Sequence, residues 1–147
     1  MEETLDKAFI HIPITVRWGD MDAALHVNNT VYLKWVEAVR IAFFEKLLGE
    51  SPKFHKVGPI LAWHDCKYIF PVTFPDTITA TYDVTDLGEQ HLMCQCRMYS
   101  EQHHRLVAIA NTKLVPYDYK GLHKVNVPDA WRNPILDFYK NLSATKS

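Results

Sequence analysis

Residues 29–48 read Asn-Thr-Val-Tyr-Leu-Lys-Trp-Val-Glu-Ala-Val-Arg-Ile-Ala-Phe-Phe-Glu-Lys-Leu-Leu. Asn28 or Asn29 can cap the start of a helix here, and Gly49 follows its last turn. Val31, Leu33, Trp35, Val36, Ala38, Val39, Ile41, Ala42, Phe43, Phe44, Leu47 and Leu48 leave little polar surface. Lys34, Glu37, Arg40 and then Glu45 or Lys46 are its charged positions, the first three at i,i+3 spacing. A helix that is apolar nearly all round must be buried on most sides. One flat sheet covers about one face, so the pattern calls for a sheet that curls around the helix, or for a partner subunit.

The flanks supply strands. Residues 8–18 place Ile10, Ile12, Ile14 and Val16 on one face, and Pro13 limits one edge to non-donating pairing. Residues 60–70 form a second strand that ends before Pro71. Residues 77–84 alternate Ile78, Ala80, Tyr82 and Val84 against Thr77, Thr79, Thr81 and Asp83. Leu87 to Gln90 is a turn, and residues 91–100 then put Leu92, Cys94, Cys96 and Met98 on one face. A turn at Gln102 to His104 leads to a last long strand from Leu106 to Pro116. Three strands on short turns read as an antiparallel meander. Pro128 suits the first turn of a short closing helix that runs to about Leu142. The expected class is α+β: one long helix wrapped by a long, strongly curved antiparallel sheet.

Composition narrows the function. The 147 residues are the size of one domain, and no repeat or linker divides residues 1–147. Lys plus Arg number 16 and Asp plus Glu 17, a net charge of −1, which lacks the basic excess of a nucleic-acid binder. No uncharged apolar run reaches the roughly 18 residues of a membrane span. The acidic start Met-Glu-Glu-Thr-Leu-Asp-Lys is unlike a signal peptide, so the chain reads as cytoplasmic. Three cysteines, Cys66, Cys94 and Cys96, form neither a disulfide framework nor a zinc quartet and read as reduced core or half-core thiols.

The segment before the helix is dense in functional groups: Trp18-Gly19-Asp20-Met21-Asp22-Ala23-Ala24-Leu25-His26-Val27-Asn28-Asn29, followed by Tyr32. With the element order, it resembles the hotdog-fold acyl-CoA thioesterases of the 4-hydroxybenzoyl-CoA thioesterase type. The family's Asp-x-Asp loop matches Asp20-Met21-Asp22, and the His-Val-Asn-Asn run of its long-chain branch matches His26 to Asn29. The helical Glu-x-x-Arg matches Glu37 and Arg40. The aromatic-x-x-Pro…Asp segment matches Tyr68, Pro71 and Asp76, and the closing Pro-x-x-x-Arg matches Pro128 to Arg132 loosely. The resemblance covers nearly the whole chain. It implies a hotdog fold of five or six strands, a homodimer or homotetramer with sites at the dimer interface, an acyl-CoA or acyl-carrier-protein substrate, and no metal or organic cofactor.

Thioester hydrolysis needs a group that delivers oxygen to the carbonyl and a donor for the oxyanion. Asp22 matches the family's catalytic carboxylate, as nucleophile or as general base on water. The first N–H groups of a helix have no internal acceptor and sit at its positive end, so the backbone near Asn29 is the candidate oxyanion donor. Asn28 can hold a water or orient Asp22. His26 is a candidate proton shuttle or substrate contact. Tyr32 and His64 are candidate substrate contacts. Asp20 reads as a loop-organising carboxylate. Glu37 is a second candidate carboxylate, because one hotdog branch uses a helical Glu, but Lys34 and Arg40 lie three residues either side and an ion pair is expected. Pocket size depends on which aromatics reach the interface, among them Tyr32, Trp35, Phe43 and Trp63.

The sequence departs from the family in two places. Many relatives have Gly before the loop histidine where this chain has Leu25, which tolerates a positive φ poorly. Many also carry basic groups at the turn into the fourth strand, where Asp86 to His91 is acidic. His103, His104 and Arg105, or Lys120, His123 and Lys124, are the alternative basic groups for CoA phosphates. Hotdog hydratases pair Asp and His across four residues, whereas three separate Asp22 from His26. A metal hydrolase lacks its His-Glu-x-x-His. A hotdog module that binds acyl or CoA-thioester groups without turnover is the alternative function.

Overall fold

The computed structural model describes residues 2–49 and 56–145. Its elements are α1 (Glu2–Lys7), β1 (Ile10–Thr15), a 3-10 turn (Trp18–Asp20), α2 (Asn29–Leu48), β2 (Val57–Tyr68), β3 (Thr77–Leu87), β4 (Leu92–Ser100), β5 (Arg105–Asp118), β6 (His123–Lys124) and α3 (Asp129–Thr145). The strands pair antiparallel in the order β1-β3-β4-β5-β2, with β6 beside β5. This is the hotdog arrangement, a long helix held in a curled sheet. Both ends of α2 fall where the sequence puts them: Asn28 caps the start, and Gly49 closes the end in the left-handed region at φ 78°.

Sheet curvature has a local cause. Register shifts interrupt the ladder between Leu61 and Trp63, between Val84 and Asp86, and between Met98 and Tyr99. An extra residue on one strand bends it and increases its twist. The bent sheet closes over Trp35, Val36, Val39, Phe43, Phe44 and Leu47 of α2. Opposite them lie Ile78, Ala80 and Tyr82 of β3, Leu92, Cys94, Cys96 and Met98 of β4, and Ala108, Ala110 and Leu114 of β5, all essentially sealed from solvent. Each large side chain buried this way contributes about 1.5–3 kcal/mol. Phe43 packs edge-on against Tyr82 at 5.3 Å, and Phe44 against Trp131 of α3 at 5.2 Å.

Within this chain α2 is covered on one side, which leaves the rest of its expected burial to a partner subunit. Leu33, Lys34, Glu37, Ala38, Ile41, Glu45 and Lys46 form an exposed face within this chain. The sheet wraps one side of the helix only. The second strand is likewise open: from Ile60 to Tyr68 every residue except Cys66 is exposed, because β2 is a sheet edge. β1, the other edge, carries Pro13 opposite Thr79. The short α1 and β6 have no counterpart in the sequence expectations. β3 passes its bulge and runs to Leu87, beyond the expected stop at Val84.

Candidate active site

The segment between β1 and α2 is folded on its own carbonyls. Val16 N–H donates to Asp76 O at 2.9 Å, and Val27 N–H to Val72 O at 2.9 Å, which pins both ends to the β2–β3 connection. Asp20 Oδ2 accepts the Arg17 N–H at 2.8 Å and its carbonyl accepts the Asn28 N–H at 3.0 Å. Asp20 thus organises the loop. Asp22 N–H donates to His26 O at 3.1 Å, and Leu25 N–H to Asp22 O at 2.9 Å, so residues 22–26 form a tight turn above the Met21–Val27 bridge. That turn needs a left-handed residue, and Leu25 supplies it at φ 59°.

This turn aims Asp22 at the helix start. Its Oδ1 accepts the Ala24 N–H at 2.9 Å, and its Oδ2 accepts the Asn28 side-chain amide at 3.3 Å. The carbonyl end of the same amide accepts the Thr30 N–H at 2.9 Å and the Thr30 hydroxyl at 2.7 Å. Asn28 therefore couples the carboxylate to the helix cap with one planar group. Its main-chain carbonyl takes the Val31 N–H at 3.0 Å. Among the described residues no acceptor remains for the Asn29 N–H, which stands at the positive end of a helix of 20 residues.

Beside that N–H opens a cleft of about 310 Å³ lined by His26, Val27, Asn29, Tyr32, Tyr68, Ile69, Phe70 and Pro71. It brings together His26, Asn29 and Tyr32 of the expected residues. The His26 Nδ1 lies 2.9 Å from the Ala24 carbonyl, which can only accept. Nδ1 therefore carries the hydrogen and Nε2 is left as an acceptor in the neutral ring. Tyr32 is buried, packing on Trp35 at 4.8 Å and edge-on to Tyr68 at 4.9 Å. Burial raises the Tyr32 hydroxyl above its ordinary range.

Tyr68 is the residue that sequence reasoning quoted but gave no role. Its hydroxyl donates to the Asn29 carbonyl at 3.1 Å, clamping the first turn of α2 to the end of β2. Burial, reinforced by Cys66, pushes that hydroxyl up to about 12. The signal lay in pairing register: Leu61, His64, Cys66 and Tyr68 oppose Leu114, Thr112, Ala110 and Ala108, all buried. These four β2 residues therefore share the helix-facing side.

His64 is on that side but not in the cleft. It lines a separate cavity with Glu37 and Arg40. Among the described residues Glu37 makes no ion pair with Lys34 or Arg40, contrary to the i,i+3 expectation. Among the described residues no group of three or more His, Cys, Asp or Glu is placed to hold a metal ion. No helix among them is long and apolar enough to cross a membrane.

A family model described as Thioesterase-like superfamily matches residues 16–135. No curated protein matches the chain. Among solved structures, the PA2801 protein from Pseudomonas aeruginosa, a candidate thioesterase, is 32% identical over 85% of this chain and 96% of its own, with a TM-score of 0.78. A candidate acyl-CoA thioesterase from Xanthomonas campestris is 27% identical over 74% of this chain and 92% of its own, with a TM-score of 0.68. BH1999, a gentisyl-coenzyme A thioesterase, is 22% identical over 83% of this chain and 98% of its own, with a TM-score of 0.75, and shares the fold.

Proposed function

The chain belongs to the thioesterase-like superfamily, and from that premise we propose that it hydrolyses an acyl-CoA or acyl-carrier-protein thioester to free acid and thiol. The single observation that carries this reading is the coupling of Asp22, through the Asn28 amide, to a helix start whose Asn29 N–H has no acceptor among the described residues. The thioester oxygen takes the Asn29 N–H, a contact that strengthens as negative charge develops and is worth a few kcal/mol at the transition state. Asp22 either attacks the carbonyl carbon to give a mixed anhydride, or takes a proton from the water that attacks it. In both routes the C–S bond breaks, the thiolate leaves and is protonated, and water supplies the oxygen of the acid. His26 Nε2 at the cleft wall accepts a proton or a substrate hydrogen bond. Tyr32 and Tyr68 shape the cleft around the acyl carbonyl.

The working unit in this proposal is one domain spanning residues 1–147, paired as a homodimer or further as a homotetramer. Support comes from what the chain leaves open: the β2 edge with Ile60, Leu61, Trp63 and Tyr68 each more than 40% exposed, and the Leu33 and Ile41 stripe of α2. An uncovered long edge strand of this kind offers a pairing surface. Release of free thiol from a panel of acyl-CoAs, measured for wild type and Asp22→Asn, tests the chemistry. A loss of about 10²–10⁴-fold in kcat with retained folding is the expected result. Unchanged hydrolysis in Asp22→Asn would remove Asp22 from the mechanism, and no turnover on any CoA or carrier-protein thioester would favour an acyl-binding module.

A further inference from the structure

The cavity that holds His64 shares no lining residue with the cleft, but both are built between α2 and β2. Leu33, Val36, Glu37 and Arg40 of α2 form one wall, Leu61, His64 and Asp65 of β2 the other, and Ala110 and Thr112 of β5 the floor. It has a volume of about 150 Å³. The cleft at the helix start uses Asn29 and Tyr32 on α2 and Tyr68 on β2. The cavity therefore takes the next turns of the same helix and the next helix-facing positions of the same strand.

Its polar groups are unequal. Asp65 is engaged elsewhere, accepting the Asn111 N–H at 3.1 Å and the Asn111 side-chain amide at 3.0 Å. The Thr112 hydroxyl is held by Tyr82 at 2.6 Å. Glu37 lies on the exposed face of α2, where solvent screens its charge. Arg40 is half-buried, and among the described residues its guanidinium has no hydrogen bond or ion pair. It lines the cavity between α2 and the sheet, beside His64 and Thr112. A half-buried cation with five donors and no partner favours an anion, and a carboxylate matches its fork.

We propose that this cavity receives the far end of the acyl group and selects chains that end in a carboxylate, held by Arg40 with His64 as a second donor. This rests on the thioesterase reading of the cleft, because it places the acyl carbonyl at Asn29. The length follows from the helix. Eight residues separate Asn29 from Glu37, which is roughly 12 Å at about 1.5 Å per residue. Side chains lean toward the helix N-terminus, so the Arg40 guanidinium falls near the level of Glu37. An extended chain advances about 1.2 Å per bond, which gives about ten bonds from carbonyl to carboxylate. The substrate class is a medium-length ω-carboxyacyl thioester.

Two non-hydrolysable thioethers of CoA, S-decyl-CoA and S-(9-carboxynonyl)-CoA, separate the terms by isothermal titration. Wild type is expected to bind the carboxylate-ended probe at least about tenfold more tightly, the effect of one hydrogen-bonded charge pair. Arg40→Met is expected to erase the preference and Arg40→Lys to keep part of it, with circular dichroism confirming that each is folded. Equal or tighter binding of S-decyl-CoA to wild type overturns the proposal without need of a variant, as does a preference that survives in folded Arg40→Met. A preference in the thioethers together with no hydrolysis of the matching thioesters supports the pocket and refutes the hydrolase reading, so the two failures are distinct.

Discussion

Under the proposed mechanism Asn28 serves the fold and the chemistry with opposite ends of one amide, so two substitutions pull them apart. Its Oδ1 accepts from Thr30 N–H and Oγ1, and its Nδ2 donates to Asp22 Oδ2 at 3.3 Å. Asn28→Ala removes both ends. Loss of an N-cap of this kind costs about 0.5–2 kcal/mol, which for a chain of this length lowers Tm by roughly 2–6 °C. Asn28→Asp keeps the acceptor at the cap, where a negative charge is favourable by about 0.3–1 kcal/mol. It also replaces the donor facing Asp22 with a second carboxylate. Two charges 3.3 Å apart repel by about 1.3 kcal/mol in water and about 5 kcal/mol at an effective dielectric of 20. Asp22 is exposed within this chain, so the lower figure governs, and it corresponds to about one pH unit. Asn28→Asp should therefore melt within a degree or two of wild type, lose most of its kcat, and show an acid limb about one unit higher in its pH–rate profile. Calorimetry and thiol release across pH 4–9 read both quantities. Wild-type activity with an unshifted profile in Asn28→Asp would refute the coupling, and wild-type melting of Asn28→Ala would refute the cap.

Three further outcomes follow from the geometry. Leu25→Gly releases a left-handed strain of about 1–2 kcal/mol against about 0.5–1 kcal/mol of added chain freedom, and the Leu25 side chain is exposed; denaturant titration should find it neutral to about 1 kcal/mol more stable. Tyr68→Phe keeps the edge-on contact with Tyr32 but loses the hydroxyl on the Asn29 carbonyl, and a stability loss of about 1 kcal/mol with a reduced kcat/KM is expected; unchanged values of both would remove the clamp. Asp118 accepts the Gly121 and Lys120 N–H groups, which hold its carboxyl below its ordinary value of 3.8. That stability is complete above pH 3.8 and is lost as pH falls through the lower native value; an Asp118→Asn variant should show a flatter acid limb in Tm against pH.

Much of the fold was legible because it rests on short-range chemistry. Asn28 and Gly49 bracket α2 at the residues where capping rules place its ends, and the alternation in β3 and β4 marks the faces that the core seals. Asp22, Asn28 and Asn29 were legible as a set because they lie within eight residues of one another around a helix start. Tyr68 was not. Its place beside Asn29 comes from a pairing across β2 and β5 and a bulge at Leu61, and no local pattern encodes either. The same register decides that His64 turns toward Arg40 and not toward Asp22.

The open face of α2 is the more informative feature. Its residues are apolar around nearly the whole circumference, and periodicity rightly reports that such a surface needs cover. It does not report whose surface provides the cover. The sheet of this chain takes the Trp35, Val39, Phe43 side and leaves Leu33, Ala38 and Ile41 open. Across the groove, β2 shows the same imbalance, with Ile60, Leu61 and Trp63 uncovered on a free edge. Apolar groups left in water on two facing elements cost free energy that a monomer has no means to recover. Between α2 and β2 lie the cleft at Asn29 and the cavity at Arg40. Under the proposed assembly, a second copy would cover the uncovered rows, and the same event would exclude water from the groove. Desolvation would then strengthen both the Asn29 contact to a thioester oxygen and the Arg40 contact to an anion. Activity per chain should therefore fall on dilution below the dissociation constant of the assembly, together with the preference for a carboxylate-ended chain. A concentration-independent rate measured across the monomer–oligomer transition seen by sedimentation would separate catalysis from assembly and refute this coupling.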